Sequence, residues 1–153
     1  MIWKTILVPH DFSGSANHAA AIARDEAKLH GARIVLLHVI DLPHQFQPDA
    51  VMVPQATGAP INLRDYAVAS AETHLQDIAA RLEKDGVKAQ SFIRLGSAVD
   101  EITKFIDEEK VDLIVMGTHG RTGLKKLLVG SVAERVVRTS SVPVMTVRHP
   151  ESD

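Results

Sequence analysis

The sequence predicts a doubly wound α/β fold built on an open, parallel five-stranded sheet. Apolar runs rich in Val, Ile and Leu alternate with segments whose apolar residues recur at helical spacing. The resulting order is β-α-β-α-β-α-β-α-β. Continuous apolar strands joined by helices are typical of a parallel sheet that is covered on both faces. We therefore expect a single domain over residues 1–153, with helices on both faces of the sheet.

The first half of the chain opens with an apolar strand over residues 3–9, which Pro9 closes. Alanine and isoleucine then recur every three or four positions across 17–29, which predicts a helix that ends at Gly31. A second buried strand is predicted over 32–40, where Val, Ile and Leu predominate. These elements form the first strand–helix–strand unit.

Residues 41–61 interrupt the alternation. They contain four of the seven prolines, so we expect a long, irregular, proline-rich loop rather than a domain boundary. A loop of this length after a strand is either mobile or a cover for a site. A long helix is predicted over 62–84, and Gly86 ends it.

The second half of the chain continues the same alternation. The strand predicted over 87–95 is more polar and alternates, so we place it at an edge of the sheet. A helix that starts after Ser97 leads to an apolar strand over 111–116. A last helix, from Ser131, leads to a fifth strand over 142–148. The sheet is thereby complete.

Two residue pairs have the spacing of a helix-capping box, in which a serine and an acidic residue three positions later satisfy the helix start. They are Ser97 with Asp100 and Ser131 with Glu134. For the second pair, capping is the alternative to a role in ligand binding, because a capped helix start needs no ligand.

Composition excludes several classes of protein. Lys and Arg number 17 against 19 Asp and Glu, so the net charge of −2 leaves no basic excess for nucleic acid. Without cysteine, disulfides, thiolate nucleophiles and cysteine metal sites are excluded. No apolar run is long enough for a signal peptide or a membrane span. We therefore expect a cytoplasmic protein with no membrane insertion.

The most informative stretch is a glycine-rich loop over 117–131, GTHGRTGLKKLLVGS, which leaves the fourth strand and enters the last helix. Backbone N–H groups in such a loop and at a helix start bind phosphate oxygens. Gly117 and Gly120 would permit a tight turn and a close approach to a ligand. The cationic side chains of the loop are Arg121, Lys125 and Lys126. The alternatives are turn glycines and a solvated basic face.

The spacing of this loop differs from the two common phosphate-binding patterns. It contains no G-x-x-x-x-G-K-[ST], and no G-x-G-x-x-G follows the first strand. The spacing is Gly117-x2-Gly120-x9-Gly130-Ser131, which resembles the ATP-binding motif of the universal stress protein family, Gly-x2-Gly-x9-Gly-[Ser/Thr]. No fixed position departs from that motif. The resemblance also covers residues 6–13, 36–39 and 142–145.

This resemblance implies a Rossmann-like fold of the adenine nucleotide alpha hydrolase type, with strand order 3-2-1-4-5. The winding then reverses between the first and fourth strands, and ligands of such sheets bind at the carboxyl ends of the strands there. Residues 9–11 and 116–119 are therefore expected to converge on one crevice.

The resemblance also implies roles for individual residues. Asp11 can accept from a ribose hydroxyl or a base amine, and its alternative role is that of a turn or cap aspartate. By analogy with the family's adenine pocket, Pro9, Val39 and Met116 would supply apolar walls, although Val39 also suits the core. The backbone at the motif positions would hold ribose and phosphates. The full predicted set is Pro9, His10, Asp11, Val39, Met116, Gly117, His119, Gly120, Arg121, Gly130, Ser131 and Val132.

Eight histidines raise the question of a metal site. No pair has the H-E-x-x-H spacing, and only His10 and His119 are expected to be close. Zinc sites use three or four protein ligands, so we favour for these two a hydrogen-bonding role beside a phosphate or base. Any Mg²⁺ would be bound through the phosphates of a nucleotide.

We therefore expect a nucleotide-dependent regulatory or stress-response protein that binds ATP, ADP or AMP. No residue is marked as placed to orient a nucleophile, so binding is favoured over turnover. The alternatives are a slow ATP hydrolase or phosphotransferase, and a chaperone-like interaction protein without nucleotide. The resemblance also implies a homodimer, and the apolar strand 142–148 offers an edge that could pair with a second copy. A regulated protein partner would distinguish the nucleotide-bound form of this protein from the nucleotide-free form.

Overall fold

The computed structural model describes residues 2–42, 47, 49–119 and 129–150. Its helices are α1 (Gly14–His30), α2 (Leu63–Lys84), α3 (Ala98–Glu108) and α4 (Ser131–Thr139). Its strands are β1 (Thr5–Pro9), β2 (Arg33–Ile40), β3 (Val51–Met52), β4 (Ile61–Asn62), β5 (Ala89–Leu95), β6 (Leu113–Gly117) and β7 (Val144–Val147). All strands and helices predicted from the sequence are present, with ends that differ by a few residues. Among the described helices, none combines the length and apolar character needed to span a bilayer.

Five of these strands form one parallel sheet in the order β5-β2-β1-β6-β7. Counted along the chain within that sheet, they are the third, second, first, fourth and fifth strands. The predicted order 3-2-1-4-5 is therefore confirmed. The more polar β5 lies at one edge, as predicted, and β7 lies at the other. The winding reverses between β1 and β6, which positions the site described below.

Helices cover both faces of the sheet because successive side chains of a strand point to opposite faces. Ile6 and Val8 of β1 pack with buried residues of α1 and α2, whereas Leu7 packs with those of α3 and α4. Ala19 and Ala23 of α1 are completely buried in the first of these layers. Such small side chains let the α1 backbone approach the sheet closely.

The proline-rich segment is more ordered than the sequence predicts. Strands β3 and β4 pair as a short antiparallel ribbon. The prediction of an irregular loop over 41–61 is therefore wrong at those residues. Asn62, at the end of β4, also caps α2, because its side-chain oxygen accepts from the N–H groups of Arg64 and Asp65 at 2.9 and 3.3 Å.

Neither predicted capping box forms. Ser97 is the N-cap residue of α3, but its side chain makes no capping hydrogen bond. Gly130, rather than Ser131, is the N-cap residue of α4, and Glu134 pairs instead with Arg138 at 2.7 Å. Because a glycine has no side-chain acceptor, the first amides of α4 receive no acceptor from their cap.

Candidate functional site

A cleft of about 480 Å³ opens at the carboxyl ends of β1, β2 and β6, where the winding of the sheet reverses. Ligand pockets in proteins have volumes of roughly 300–1,000 Å³, so this cleft has the size for a small organic ligand. The predicted site residues that line it are Pro9, His10, Asp11, Val39, Met116, Gly117, His119, Gly130, Ser131 and Val132. Gly120 and Arg121, the other two predicted residues, lie outside the described residues.

The cleft also contains residues that the sequence analysis missed. His38 and Asp41 line it at the end of β2, and Ala98 and Ile102 line it from α3. The first two could have been found, because β2 is next to β1 in the predicted order and its carboxyl end borders the same crevice. No local signal in the sequence points to the α3 residues.

Four hydrogen bonds around His10 fix the turn between β1 and α1. The N–H of His10 donates to the carbonyl of Leu37 at 2.8 Å. The N–H of Phe12 donates to Nδ1 of His10 at 3.0 Å, and Nε2 of His10 lies 3.1 Å from Oδ1 of Asn17. Nδ1 of His38 donates to the carbonyl of His10 at 2.7 Å. The turn is thereby tied to both β2 and α1.

These bonds define the state of the His10 ring. A backbone N–H can only donate, so Nδ1 of His10 is the acceptor and Nε2 carries the proton that is donated to Asn17. Burial lowers the pKa of His10 below its usual 6.5, and the nearby Asp11 carboxylate opposes this shift. The ring is 3% exposed. His10 is therefore a buried, neutral imidazole at neutral pH.

Asp11 has the turn role that the sequence allows. Its Oδ1 accepts from the N–H of Ser13 at 3.0 Å, as in a turn aspartate. Ser13 in turn caps α1 by accepting from the N–H of Ala16 at 3.2 Å. In the described part of the chain, no group donates to the second carboxylate oxygen of Asp11. That oxygen can therefore accept from a ligand in the cleft.

Gly117 meets a packing requirement at the end of β6. A Cβ at this position would lie 2.7 Å from Cβ of Ser15 and 2.9 Å from its carbonyl carbon. Gly117 therefore permits the close approach of α1, and the approach of a ligand at this position stays a prediction. The start of α1, which follows the Asp11 turn, is positioned in this way.

The chain after β6 is joined to the start of α4. The N–H of Thr118 donates to the carbonyl of Val147 at 3.0 Å, and the N–H of Gly130 donates to the carbonyl of Thr118 at 2.6 Å. The Thr118 hydroxyl and Nδ1 of His119 share a hydrogen bond of 2.9 Å. Nε2 of His119 is buried and has no partner in the described part of the chain. The amide of Gly130 is thus already engaged within the fold.

The start of α4 lines the cleft and carries backbone donors that have no acceptor in the described part of the chain. The N–H groups of Ser131, Val132 and Ala133 make no hydrogen bond within the described residues, and all three residues line the cleft. The aligned peptide dipoles of a helix also place a partial positive charge at its N-terminus. An anion bound here would therefore be stabilised by both donors and dipole.

The ionisable lining of the cleft, within the described ranges, consists of two carboxylates and three histidines. They are Asp11, Asp41, His10, His38 and His119. No Lys or Arg is among these described lining residues. The described residues also contain no group of three or more His, Asp or Glu that could hold a metal ion. In this described part of the cleft, an anion would therefore meet backbone amides, hydroxyls and imidazoles rather than Lys or Arg side chains.

The order of the parallel sheet, with a helix N-terminus at the switch point, places this chain in the class of doubly wound α/β proteins. The sequence model of the universal stress protein family matches residues 3–148. The chain therefore belongs to the universal stress protein family, as its glycine motif predicts.

Individual relatives agree with this assignment. Universal stress protein MJ0577 of Methanocaldococcus jannaschii is 33% identical over 161 residues, which cover 99% of each chain. Its solved structure is similar with a TM-score of 0.81 over 97% of both chains. At lower identity the fold is shared with a universal stress protein in complex with cAMP, at 23% identity, a TM-score of 0.69 and 97% and 99% coverage. It is also shared with the Archaeoglobus fulgidus protein in complex with dAMP, at 22% identity, a TM-score of 0.69 and 96% and 99% coverage.

Proposed function

We propose that this protein binds an adenine nucleotide in the cleft and acts as a nucleotide-dependent regulatory, stress-response protein. The observation that carries the proposal is the row of amides at the start of α4, over residues 131–133, which have no acceptor among the described residues and belong to the lining of the same cleft as Asp11, one of whose carboxylate oxygens has no donor among those residues. Phosphate oxygens accept from amides, and a carboxylate accepts from ribose hydroxyls or a base amine. Structures of two proteins with the same fold contain cAMP and dAMP, which supports this choice of ligand.

We assign the three predicted apolar residues of the cleft to the apolar part of the ligand. Pro9, Val39 and Met116 line the cleft beside Asp11, and Val39 also packs against the core, so both of its predicted roles are compatible. These side chains would form walls for a flat base. The phosphate-binding role predicted for Gly130 would pass to the amides that follow it, because its own N–H donates to Thr118.

The direct test is to identify what the purified protein carries. We expect chromatography of the denatured protein to release an adenine nucleotide. We also expect added AMP or ATP to raise the melting temperature, because a ligand at a hundred times its Kd stabilises the folded state by about 2.7 kcal/mol. No released nucleotide, together with an unchanged melting temperature for AMP, ADP, ATP and cAMP, would refute the proposal.

Arg121 and a phosphate-bound Mg²⁺ are proposed to supply positive charge for ATP. The described lining of the cleft offers Asp11 and Asp41 but no cationic side chain, so a triphosphate needs charge from elsewhere. We expect Arg121→Ala to weaken ATP binding by about tenfold or more and AMP binding by much less, since a charged hydrogen bond contributes roughly 1.5–3 kcal/mol. Calorimetric titrations with Mg²⁺ present measure both affinities.

Arg138→Ala is the matched control for this comparison. Arg138 belongs to the last turn of α4 and pairs with Glu134, so its removal changes the net charge equally but not at the cleft. An equal loss for ATP and AMP in Arg121→Ala would contradict the assignment of Arg121 to the outer phosphates.

We further propose that residues 1–153 act as one cytoplasmic domain that forms a homodimer through the edge strand 142–148. In the described sheet, β7 has a neighbour on one side only, and Val137 of α4 is 52% exposed. Thr146→Lys places a charge on the exposed face of this edge and is expected to yield monomers in light scattering coupled to gel filtration. Thr73→Lys, on the exposed side of α2, should leave the mass unchanged. If the Thr146→Lys variant remains dimeric, the dimer interface does not involve this strand.

A further inference from the structure

We propose that His10 is a positioning residue, whose neutral ring holds the Asp11 turn in the geometry that binds the nucleotide. Protonation of this ring releases the turn from that geometry and thereby weakens nucleotide binding. The inference rests on the proposed function, because it concerns the same cleft. It goes beyond that function by assigning a residue that controls the cleft without touching the phosphates. It also predicts that acid weakens nucleotide binding through this chain's own chemistry.

The backbone of the turn requires support from the His10 ring. Phe12 has a φ of +65°, a left-handed conformation that bulky residues rarely adopt. Its N–H donates to Nδ1 of His10 at 3.0 Å. Asp11 lies between these two residues in the chain, so the hydrogen bond closes a small ring around it. The direction of the Asp11 carboxylate therefore depends on this bond.

Aromatic packing holds the other side of the same turn. The Phe12 ring lies 4.5 Å from the ring of His38 on β2, 5.2 Å from that of His74 on α2 and 5.4 Å from that of His10, measured between centroids. Phe12 is thus fixed by its backbone and by rings from three parts of the fold. A change at His10 would alter both kinds of contact.

Protonation of His10 would break the hydrogen bond between the Phe12 N–H and the His10 ring. The imidazolium carries a proton on both nitrogens, so Nδ1–H would face the N–H of Phe12, donor against donor. The Nε2–H bond to Asn17 would remain. Either the ring or the Phe12 amide would then have to move, and the Asp11 turn would lose its geometry.

The groups around His10 set the pH at which this occurs. Burial lowers the pKa of His10, and His38 on β2 lowers it further, whereas the Asp11 carboxylate and the bond to Asn17 on α1 raise it. His74 on α2 is the next titratable group, reached across the Phe12 ring. The net direction is downwards from 6.5. The neutral, binding-competent form therefore persists through neutral pH and is lost only as pH falls through this lowered pKa.

Two substitutions separate the nitrogen atoms of His10. The amide oxygen of His10→Asn can occupy the place of Nδ1 and accept from Phe12, but the side chain does not titrate. The longer His10→Gln side chain reaches toward the place of Nε2 and can keep the contact with Asn17, but it leaves the Phe12 N–H without its acceptor. The pair therefore tests which hydrogen bond positions Asp11.

The experiment is a calorimetric titration with AMP between pH 7.5 and 4.5, with folding checked by circular dichroism at each pH. We expect His10→Asn to bind within about threefold of wild type at pH 7.5, and His10→Gln to bind about five- to tenfold more weakly, as for one lost hydrogen bond. Phosphate groups also titrate near pH 6, so AMP binding has a pH dependence of its own. On acidification, wild type should lose more affinity than His10→Asn. The affinity of His10→Asn changes only through titration of the AMP phosphate, because its side chain at position 10 does not titrate.

The outcomes distinguish this inference from the proposed function. If wild type binds no adenine nucleotide at pH 7.5, the proposed function fails, and the ¹⁵N spectrum of the ligand-free protein still tests the turn. It should show His10 protonated on Nε2 and a Phe12 amide signal that titrates together with His10. If wild type binds AMP but shares the pH profile of His10→Asn, the inference is overturned and the function stands. The inference would also be overturned if the Phe12 amide signal does not shift as His10 titrates, or if His10→Asn binds AMP as weakly as His10→Gln.

Discussion

Replacing Ser131 by proline is expected to weaken nucleotide binding by about ten- to a hundredfold while α4 remains helical. Proline has no N–H, so the substitution removes one of the three backbone donors of residues 131–133, which line the cleft and have no acceptor among the residues that the structure describes. A hydrogen bond from an amide to a charged phosphate contributes roughly 1.5–3 kcal/mol, which corresponds to this loss of affinity. Calorimetric titration with AMP and ATP measures the loss directly.

The fold should tolerate this proline well. Ser131 is the first residue of α4, a position that proline favours because its amide has no partner in the helix. The preceding Gly130 has φ −56° and ψ 151°, the extended conformation that a residue before proline prefers. Circular dichroism should therefore show an unchanged helix content.

Ser131→Ala is the control that separates the amide from the hydroxyl. Alanine keeps the N–H and loses only the side-chain oxygen, so it should bind nucleotide more tightly than the proline variant. Val132→Ala likewise keeps its amide and should bind close to wild type. If Ser131→Pro and Ser131→Ala bind equally, the Ser131 amide does not hold the ligand.

The second large effect is expected for Gly117→Ala, which should lower the melting temperature by about 3–10 °C and weaken nucleotide binding. The added methyl group would overlap Cβ and the carbonyl carbon of Ser15, so the start of α1 must move. Overpacking of this kind costs roughly 1–3 kcal/mol, and each kcal/mol lowers the melting temperature of a chain of this size by about 2–4 °C. Thermal denaturation followed by circular dichroism measures the shift.

Gly14→Ala provides a comparison in α1, the helix that Gly117→Ala would displace. A Cβ there would lie 3.4 Å from the ring of His149, close to ordinary contact distance, so the melting temperature should change little. Binding should decrease only in Gly117→Ala, because displacement of α1 would carry the Asp11 turn with it. A Gly117→Ala protein as stable as wild type would show that α1 can adjust without cost.

Local sequence patterns predicted the elements of the fold, and the family resemblance predicted how they are arranged. The runs of Val, Ile and Leu correctly located the strands, and the polar alternation of 89–95 correctly assigned that strand to an edge. The two-residue strands β3 and β4 are too short for any periodicity to reveal. They depend on the pairing of segments separated by the intervening loop.

The roles of individual residues were harder to predict because they depend on distant partners. The S-x-x-E pattern at Ser131 offered a cap, yet the N-cap residue of α4 is Gly130, whose N–H bonds to the distant Thr118 carbonyl. Gly117 has the motif spacing, but the Ser15 backbone that requires it is far away in the chain. His10 offers no local signal for its tautomer, since Asn17 and the aromatic rings around Phe12 come from other elements. The assignment of Arg121 stays a prediction.

The hydrogen bond between Thr118 and Gly130 also bears on how this family can diversify. It joins the two ends of the glycine segment at 2.6 Å through backbone atoms alone, so the bond itself requires no side chain of the intervening sequence. The entropic penalty of closing a loop rises only slowly with its length, so that stretch could be lengthened, shortened or exchanged while the α4 amides keep their position. Exchanging residues between these two anchor points is therefore expected to alter what the loop contacts while β6 and α4 stay joined.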